Sequence, residues 1–474
     1  MAVRYKKFGK QEYAYEIWNE KNPNTNKWIQ RSKYLGVVVD KENKIYEKRN
    51  EIKREAKNAE QKEQGILDYG DSYFINEFLK NEPLLPVLRN VFGKHTDTLL
   101  SLVLFKLHGG STMRHAEIWY EGNAAKMIFP NAAMSTQSIS DFLSFIGKEK
   151  LQQSFFKGYI SSVCGDKSSL IIDSTGLPNQ INMPITDWGY HNGCIEKETR
   201  LILAVEKEHK MPLYFRYVAG NIGDVSTLTT TISELKKLGV VPCISIIDAG
   251  YYSESNIKAL YEGNVSFLTR MPSSRVIYKS LIHDNKANIE HKENIVTYGK
   301  RGLFIYKQSI DLYGYPAFAY IVCDPVRRGN EISKKILKHE SEDNEFDLNN
   351  CGMMILVSNL DMDIEEVVPL YYSRQMAEQL FGISKDDLNI LPIRVHSEAR
   401  FRGLLLLSFI ALAVYLKLKS YFTPNTTVEQ LLLMLRNLKC KVFSDKSFIV
   451  SEVTKKQRLA FEKANIIVPK NCGI

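Results

Sequence analysis

SSLIIDST (168–175) and VPCISIIDAGYY (241–252) are the two stretches whose reading decides the fold. Each is a short aliphatic run that ends in an aspartate, Asp173 or Asp248, with turn-forming residues directly behind it. Apolar runs of this length, bounded by turn signals, read as strands buried on both faces of a sheet. Between them RLILAVEKEHKMPLYFRYVAG (200–220) reads as a hairpin turning at Glu208–Lys210. Helices are expected near 225–238 and 254–262, and another strand at VSFLTRM (265–271). The order β-β-β-α-β-α-β mixes antiparallel and parallel pairing, as an α/β sheet containing one hairpin does. Carboxylates at the carboxyl ends of neighbouring strands face one crevice, where α/β proteins hold ligands. Either aspartate alone would be an ordinary turn residue.

A third carboxylate lies downstream, in YYSRQMAEQLFGISK (371–385). At 100° per residue, Arg374, Glu378 and Lys385 fall within about 60° of Tyr371 on one helix face. A buried face does not tolerate a phenol, a guanidinium, a carboxylate and an ammonium without partners. Gly382 interrupts the stretch, and a helix ending there would carry Lys385 off the face. Three carboxylates at one point cannot all stay ionised in a partly dry site without cations. Their hard oxygens suit Mg²⁺ or Mn²⁺, and two such ions about 4 Å apart stabilise the attacking and leaving oxygens of a displacement at phosphorus. Arg374 and Lys385 then offer phosphate contacts, and Tyr371 a hydroxyl donor.

Outside this core, residues 12–39 alternate around NPNTNK and read as a β-hairpin, and 41–64 as a charged helix or linker. Residues 65–164 have a helical period, with Ser135 and Ser138 as cap candidates, and suit either a helix-turn-helix reader or a plain bundle. The chain thus divides into 1–64, 65–164, a first core part at 165–272, a β-rich insertion at 273–350, a second core part with the polar helix at 351–420, and a helical region at 421–474. Asp224 reads most simply as a helix N-cap, and Thr426 with Glu429 as a capping box. His396 sits among Arg394, Glu398, Arg400 and Arg402, a group that suits either DNA contact or salt bridging.

The 474 residues are too many for one core. Residues 1–64 carry 16 Lys/Arg against 10 Asp/Glu, so +6 of the net +9 lies there, an electrostatic footprint for nucleic acid. Seven cysteines, an odd number without a CxxC pair, support neither a cysteine zinc site nor a disulfide framework, which fits a reducing cytoplasm. The N-terminus has no signal-peptide run, and the apolar stretch 403–416 is too short to span a bilayer, so no membrane is expected.

The pattern Tyr371-x2-Arg374-x3-Glu378-x6-Lys385, with IIDST at Asp173, VAGNIGDVSTL at Asp224, IIDAGYYS at Asp248 and VHSEARFRGLLLLSFIALA after the glutamate, resembles one branch of bacterial insertion-sequence transposases. These are DDE transposases named for a Tyr-Arg-Glu-Lys motif. The resemblance covers about 165–420 and implies a ribonuclease-H-like mixed-sheet core with a β-rich insertion. It also implies Asp173, Asp248 and Glu378 as metal ligands for Mg²⁺ or Mn²⁺, in two sites, and Tyr371, Arg374 and Lys385 as contacts to DNA. The implied reaction is cleavage at the terminal inverted repeats of the element and joining of 3′-OH ends to target DNA, carried out by a homodimer. A metal-dependent nuclease of the same fold, or a catalytically inactive DNA-binding descendant, are the alternatives. Some relatives stack an extruded base on a tryptophan in the insertion; here there is none, and Tyr298, Phe304, Tyr306 and Tyr315 are the available aromatics.

Overall fold

The computed structural model describes residues 2–9, 11–21, 28–47, 63–110, 112–164, 168–191, 194–240, 242–339 and 348–469. The chain begins with four antiparallel strands, β1 (Ala2–Phe8), β2 (Gln11–Lys21), β3 (Trp28–Asp40) and β4 (Ile45–Glu47), in sequential order. The expected hairpin is β2 with β3, Tyr15 opposite Tyr34, and a strand is added on either side of it. Its turn at 22–27 and the charged stretch 48–62 lie outside the described residues. Among the described residues of this sheet only Ala14, Gly36 and Val37 are buried, so its alternating aromatics stay at least partly accessible.

Next come β5 (Glu63–Asp68) and the helices Gly70–Lys80, Leu84–Phe92, Thr96–Leu107, Ala116–Glu121, Ala125–Ile128, Thr136–Ile146 and Glu149–Val163. Ser135 caps one of them, its hydroxyl accepting from the Ser138 N–H at 3.2 Å. These helices surround the helix Glu398–Phe422, to which Thr96–Leu107 and Thr136–Ile146 pack directly. That helix is long and apolar enough to cross a membrane by length and composition, but 83% of its apolar window is buried inside the protein, where it acts as a core axis. At the crossing with Thr136–Ile146 the two backbones nearly touch. A Cβ on Gly403 would lie 2.0 Å from the Leu143 carbonyl oxygen, and one on Gly147 would lie 1.8 Å from that of Ala399.

The central sheet is built from β6 (Ser168–Pro178), β7 (Asp187–His191), β8 (Cys194–Glu206), β9 (Met211–Ala219), β10 (Pro242–Ile247), β11 (Phe267–Met271), β12 (Ile295–Tyr298), β13 (Arg301–Leu312), β14 (Tyr315–Cys323) and β15 (Met353–Ser358). β6 pairs antiparallel with β8 and parallel with β10, which in turn runs parallel to β11. β9 joins β8 on its far side through a turn in which Lys210 has a φ of 60°. The helices Leu228–Lys237 and Glu254–Glu262 connect β9 to β10 and β10 to β11. This is the mixed sheet of a ribonuclease-H-like core. The insertion does not form a separate sheet: β15 pairs with β11 and with β14, so β12–β13–β14 extend the core sheet outward. It is also more helical than its sequence suggests, with Val276–Ile289 before β12 and Pro325–His339 after β14. The β13–β14 hairpin turns at Tyr313 and Gly314, both at positive φ, as a two-residue turn with the natural strand twist requires.

At the C-terminal end the region expected to be helical also contains a hairpin, β16 (Lys439–Phe443) with β17 (Phe448–Val450), between helices Val428–Arg436 and Lys455–Lys463. β16 pairs with β5, Cys440 opposite Leu67, which ties the two ends of the helical layer together. The capping box lies one residue later than its sequence signature, at Thr427 and Gln430, because the Thr426 N–H is still committed to the Phe422 carbonyl.

Gly403→Ala is expected to destabilise the fold by at least about 1–3 kcal/mol, the scale of overpacking, read as a lower denaturant midpoint at unchanged slope. A stability equal to the unmodified chain would mean that the two helices do not cross this closely.

Candidate active site

β6 and β10 run in parallel register, Ile172 opposite Ile247, and the next residue on each chain is an aspartate. β10 stops there, and Asp248 leaves the sheet at the start of a 3₁₀ turn, Ala249–Tyr251. β6 continues to Pro178 against β8, so Asp173 lies within its strand, opposite Leu203, and not at its end as the sequence suggests. The apolar run stops at Asp173 because its parallel partner stops, and the fork between the strands opens the crevice.

The polar stripe comes down on this fork, but from two abutting helices, Ile364–Tyr372 and Gln375–Gly382, and not from one. At the junction the Ser373 hydroxyl donates to the Leu370 carbonyl at 2.6 Å, a side-chain bond that competes with the backbone ladder. The junction tightens to i−3 bonding, Arg374 N–H to Tyr371 O at 3.2 Å and Ala377 N–H to Arg374 O at 2.9 Å. Gly382 does not end the helical path. A π-helical turn, Ile383–Asp387, follows it, closed by the Leu388 N–H on the Ile383 carbonyl at 3.0 Å. Lys385 rides on that turn and donates from Nζ to Thr175 Oγ1 at 2.8 Å, two residues beyond Asp173 on β6.

Arg374 joins the acidic groups. Its Nη1 lies 3.0 Å from Glu378 Oε1 and 3.6 Å from Asp173 Oδ2, and its Nε lies 3.4 Å from Asp248 Oδ1. Tyr371, buried beneath, donates its hydroxyl to Asp248 Oδ1 at 3.2 Å, and the guanidinium sits 5.8 Å from its ring centre. All six residues singled out in the sequence therefore meet at one crevice. Burial pushes the Asp173 carboxyl up to about 7, opposed by the Ser174 N–H and by Arg374 and reinforced by Asp248 and Glu378. Burial, with the adjacent Asp248 charge, also raises the Tyr371 phenol.

Among the described residues no three His, Cys or acidic side chains form a ready-made metal cage. The donor set nevertheless fits hard divalent cations: three carboxylates from three elements, one of them buried, have only Arg374 among them, which leaves the cluster net negative.

A second row of polar residues supports the first, and the sequence reading missed it. Asp224 makes no cap bond. Its Oδ1 accepts from the Ser174 hydroxyl at 2.6 Å and from Arg200 Nη1 at 3.1 Å. Arg200 also reaches the wholly buried Glu198 at 3.3 Å. A Cβ on Gly250 would stand 3.2 Å from Asp224 and 4.0 Å from Asp248, so Asp224 flanks the crevice. The signal was the pair Glu198 and Arg200 in the middle of β8, charged residues where the strand turns from exposed to buried. Of the insertion aromatics, Tyr298 stacks on Tyr372 at 5.4 Å beside Tyr371, Tyr315 stacks on Tyr261 at 4.4 Å, and Phe304 and Tyr306 are half-buried.

No curated protein matches the chain. Among solved structures, a cryo-EM structure of the piggyBac transposase synaptic complex with hairpin DNA is similar at 12% identity, covering 72% of this chain and 70% of that one, with a TM-score of 0.42. The family model described as the transposase DDE domain matches residues 165–414, more than half of the chain and the whole of the crevice just described. The chain belongs to the DDE transposase family.

Proposed function

We propose that the chain is a transposase of the bacterial insertion-sequence branch with the Tyr-Arg-Glu-Lys motif, one that cleaves the ends of its element and transfers 3′-OH ends to target DNA. The observation that carries this reading is the single guanidinium, Arg374, in ion-pair range of Asp173, Asp248 and Glu378. In this reading the three carboxylates hold two Mg²⁺ or Mn²⁺ ions, which would supply Lewis-acid stabilisation of the attacking and leaving oxygens. Arg374 supplies the counter-charge to the three carboxylates and is placed to pair with phosphates of a strand bound in the crevice. Lys385 offers a further cation to the same phosphates, Tyr371 holds Asp248 from beneath through its hydroxyl, and the fork between β6 and β10 fixes the two aspartates on rigid backbone. The accessible basic sheet of 2–47 and the helical layer add further DNA contacts, and two copies of the chain bring two ends together.

Two outcomes test the assignment. Glu378, half exposed at 53%, can become Gln without disturbing packing. Glu378→Gln is expected to lower cleavage and strand transfer in Mg²⁺ by on the order of 10²–10³-fold, while DNA binding survives. Near-normal cleavage would leave a DNA-binding role standing and remove the catalytic one, and cleavage without any strand transfer in the unmodified chain would favour a nuclease. Arg374→Gln leaves the acidic cluster without its counter-charge. In EDTA the variant is expected to lose about 1–3 kcal/mol of stability, discounted for partial exposure, and Mg²⁺ is expected to restore more of it than in the unmodified chain. Equal melting temperatures with and without the substitution would contradict the shared cluster.

A further inference from the structure

Beyond the crevice, the chain that follows the π-helical turn meets the helical layer and encloses a cavity of about 470 Å³. Its wall carries Lys106, Arg114, Arg394, His396 and Arg400, and none of its lining residues is acidic. Among the described residues Arg114, Arg394 and Arg400 make no ion pair. Arg394 donates only to the Thr112 hydroxyl, at 2.9 Å, and the buried Arg400 Nε has no acceptor. Lys106 is buried to 1% exposure and bonds only to carbonyls, Leu388 O at 3.0 Å and Asn389 O at 2.9 Å. Burial without a counter-ion pulls its ammonium down to about 8.

The acidic neighbour in sequence is turned away. Glu398 accepts from the Tyr217 hydroxyl at 3.0 Å, and Arg402 lines a different cavity beside Tyr217. The stretch 394–402 is therefore split, with Arg394, His396 and Arg400 on one side and Glu398 and Arg402 on the other. The helix Glu398–Phe422 also begins at the cavity, after Ser397, so the positive end of its backbone dipole adds to the same field, while Thr136–Ile146 lines the wall along its side. A cavity with this many cations and no anion is short of one kind of ligand. Arginine forks and helix N-termini both match phosphate oxygens.

We propose that this cavity is a second phosphate-binding groove, which takes the sugar–phosphate backbone of DNA running on from the acidic crevice. Lys385, the turn at 388–389 that Lys106 holds, and Arg394 follow one another along the chain, so one short connection joins the crevice to the cavity. The proposal rests on the transposase reading and adds to it where the DNA lies.

The test uses the full chain and a fluorescein-labelled duplex of about 30 base pairs of arbitrary sequence, with anisotropy measured over a range of salt. Arg114→Ala with Arg394→Ala is expected to weaken binding about tenfold at moderate salt and to reduce the log–log salt slope by about 2, at roughly 0.9 per phosphate contact. Arg114→Lys with Arg394→Lys is expected to restore most of the slope, which a merely structural role would not do. A folded double-alanine chain with unmodified affinity and slope overturns the groove and leaves the transposase reading intact. Absence of salt-dependent binding in the unmodified chain overturns both. Substitutions that abolish binding of ATP or inorganic pyrophosphate, with duplex binding unchanged, assign the cavity to a small polyanion and overturn the DNA assignment.

Discussion

The position of one guanidinium governs the site. Arg374 can touch Asp173, Asp248 and Glu378 together only because three separate elements are held in fixed relation. The parallel register of β6 and β10 puts the two aspartates side by side, and the early end of β10 opens the space between them. The broken helix then brings Arg374 and Glu378 over that space, with Tyr371 bonded to Asp248 below and Lys385 bonded to Thr175 beyond. Like charges at this spacing repel, so the arrangement is stable only with a cation among them. Asp224 and Arg200 extend the same logic one layer back, since the carboxylate that flanks the crevice is itself neutralised.

Rigidity comes from the helical layer as much as from the sheet. The helix Glu398–Phe422 docks on β9 and is clasped by Thr96–Leu107 and Thr136–Ile146. The close crossing at Gly147 and Gly403 leaves no room for side chains, which fixes how the start of that helix is presented. The residues just ahead of it connect to the π-helical turn that carries Lys385. The N-terminal helices are therefore part of the core's support, and a fragment such as 1–160 would lose the helix around which they pack.

The parts legible in the sequence were those with a strong local period. The runs at 170–172 and 244–247 are apolar on both faces because both faces are covered, and the hairpin turning near Lys210 has a turn chemistry that needs no tertiary help. The polar stripe was legible because four functional groups on one face have no apolar explanation. What escaped depended on partners distant in the chain. Nothing local reveals that β10 ends where β6 continues, so Asp173 looks terminal. Asp224 precedes a helix and looks like a cap, and only the approach of Ser174 and Arg200 gives its side chain a different task. The strand β5 and the hairpin β16–β17 lie at opposite ends of the chain, and each is short and half exposed until the other pairs with it.

The most direct measurement is Mn²⁺ binding to the full chain, followed by electron paramagnetic resonance, for the unmodified protein and for Asp173→Asn, Asp248→Asn and Glu378→Gln. If the three carboxylates form one site, each substitution weakens Mn²⁺ binding by a comparable factor while circular dichroism stays unchanged. Undiminished Mn²⁺ binding in any one of the three folded variants would contradict a shared site and separate that carboxylate from the other two.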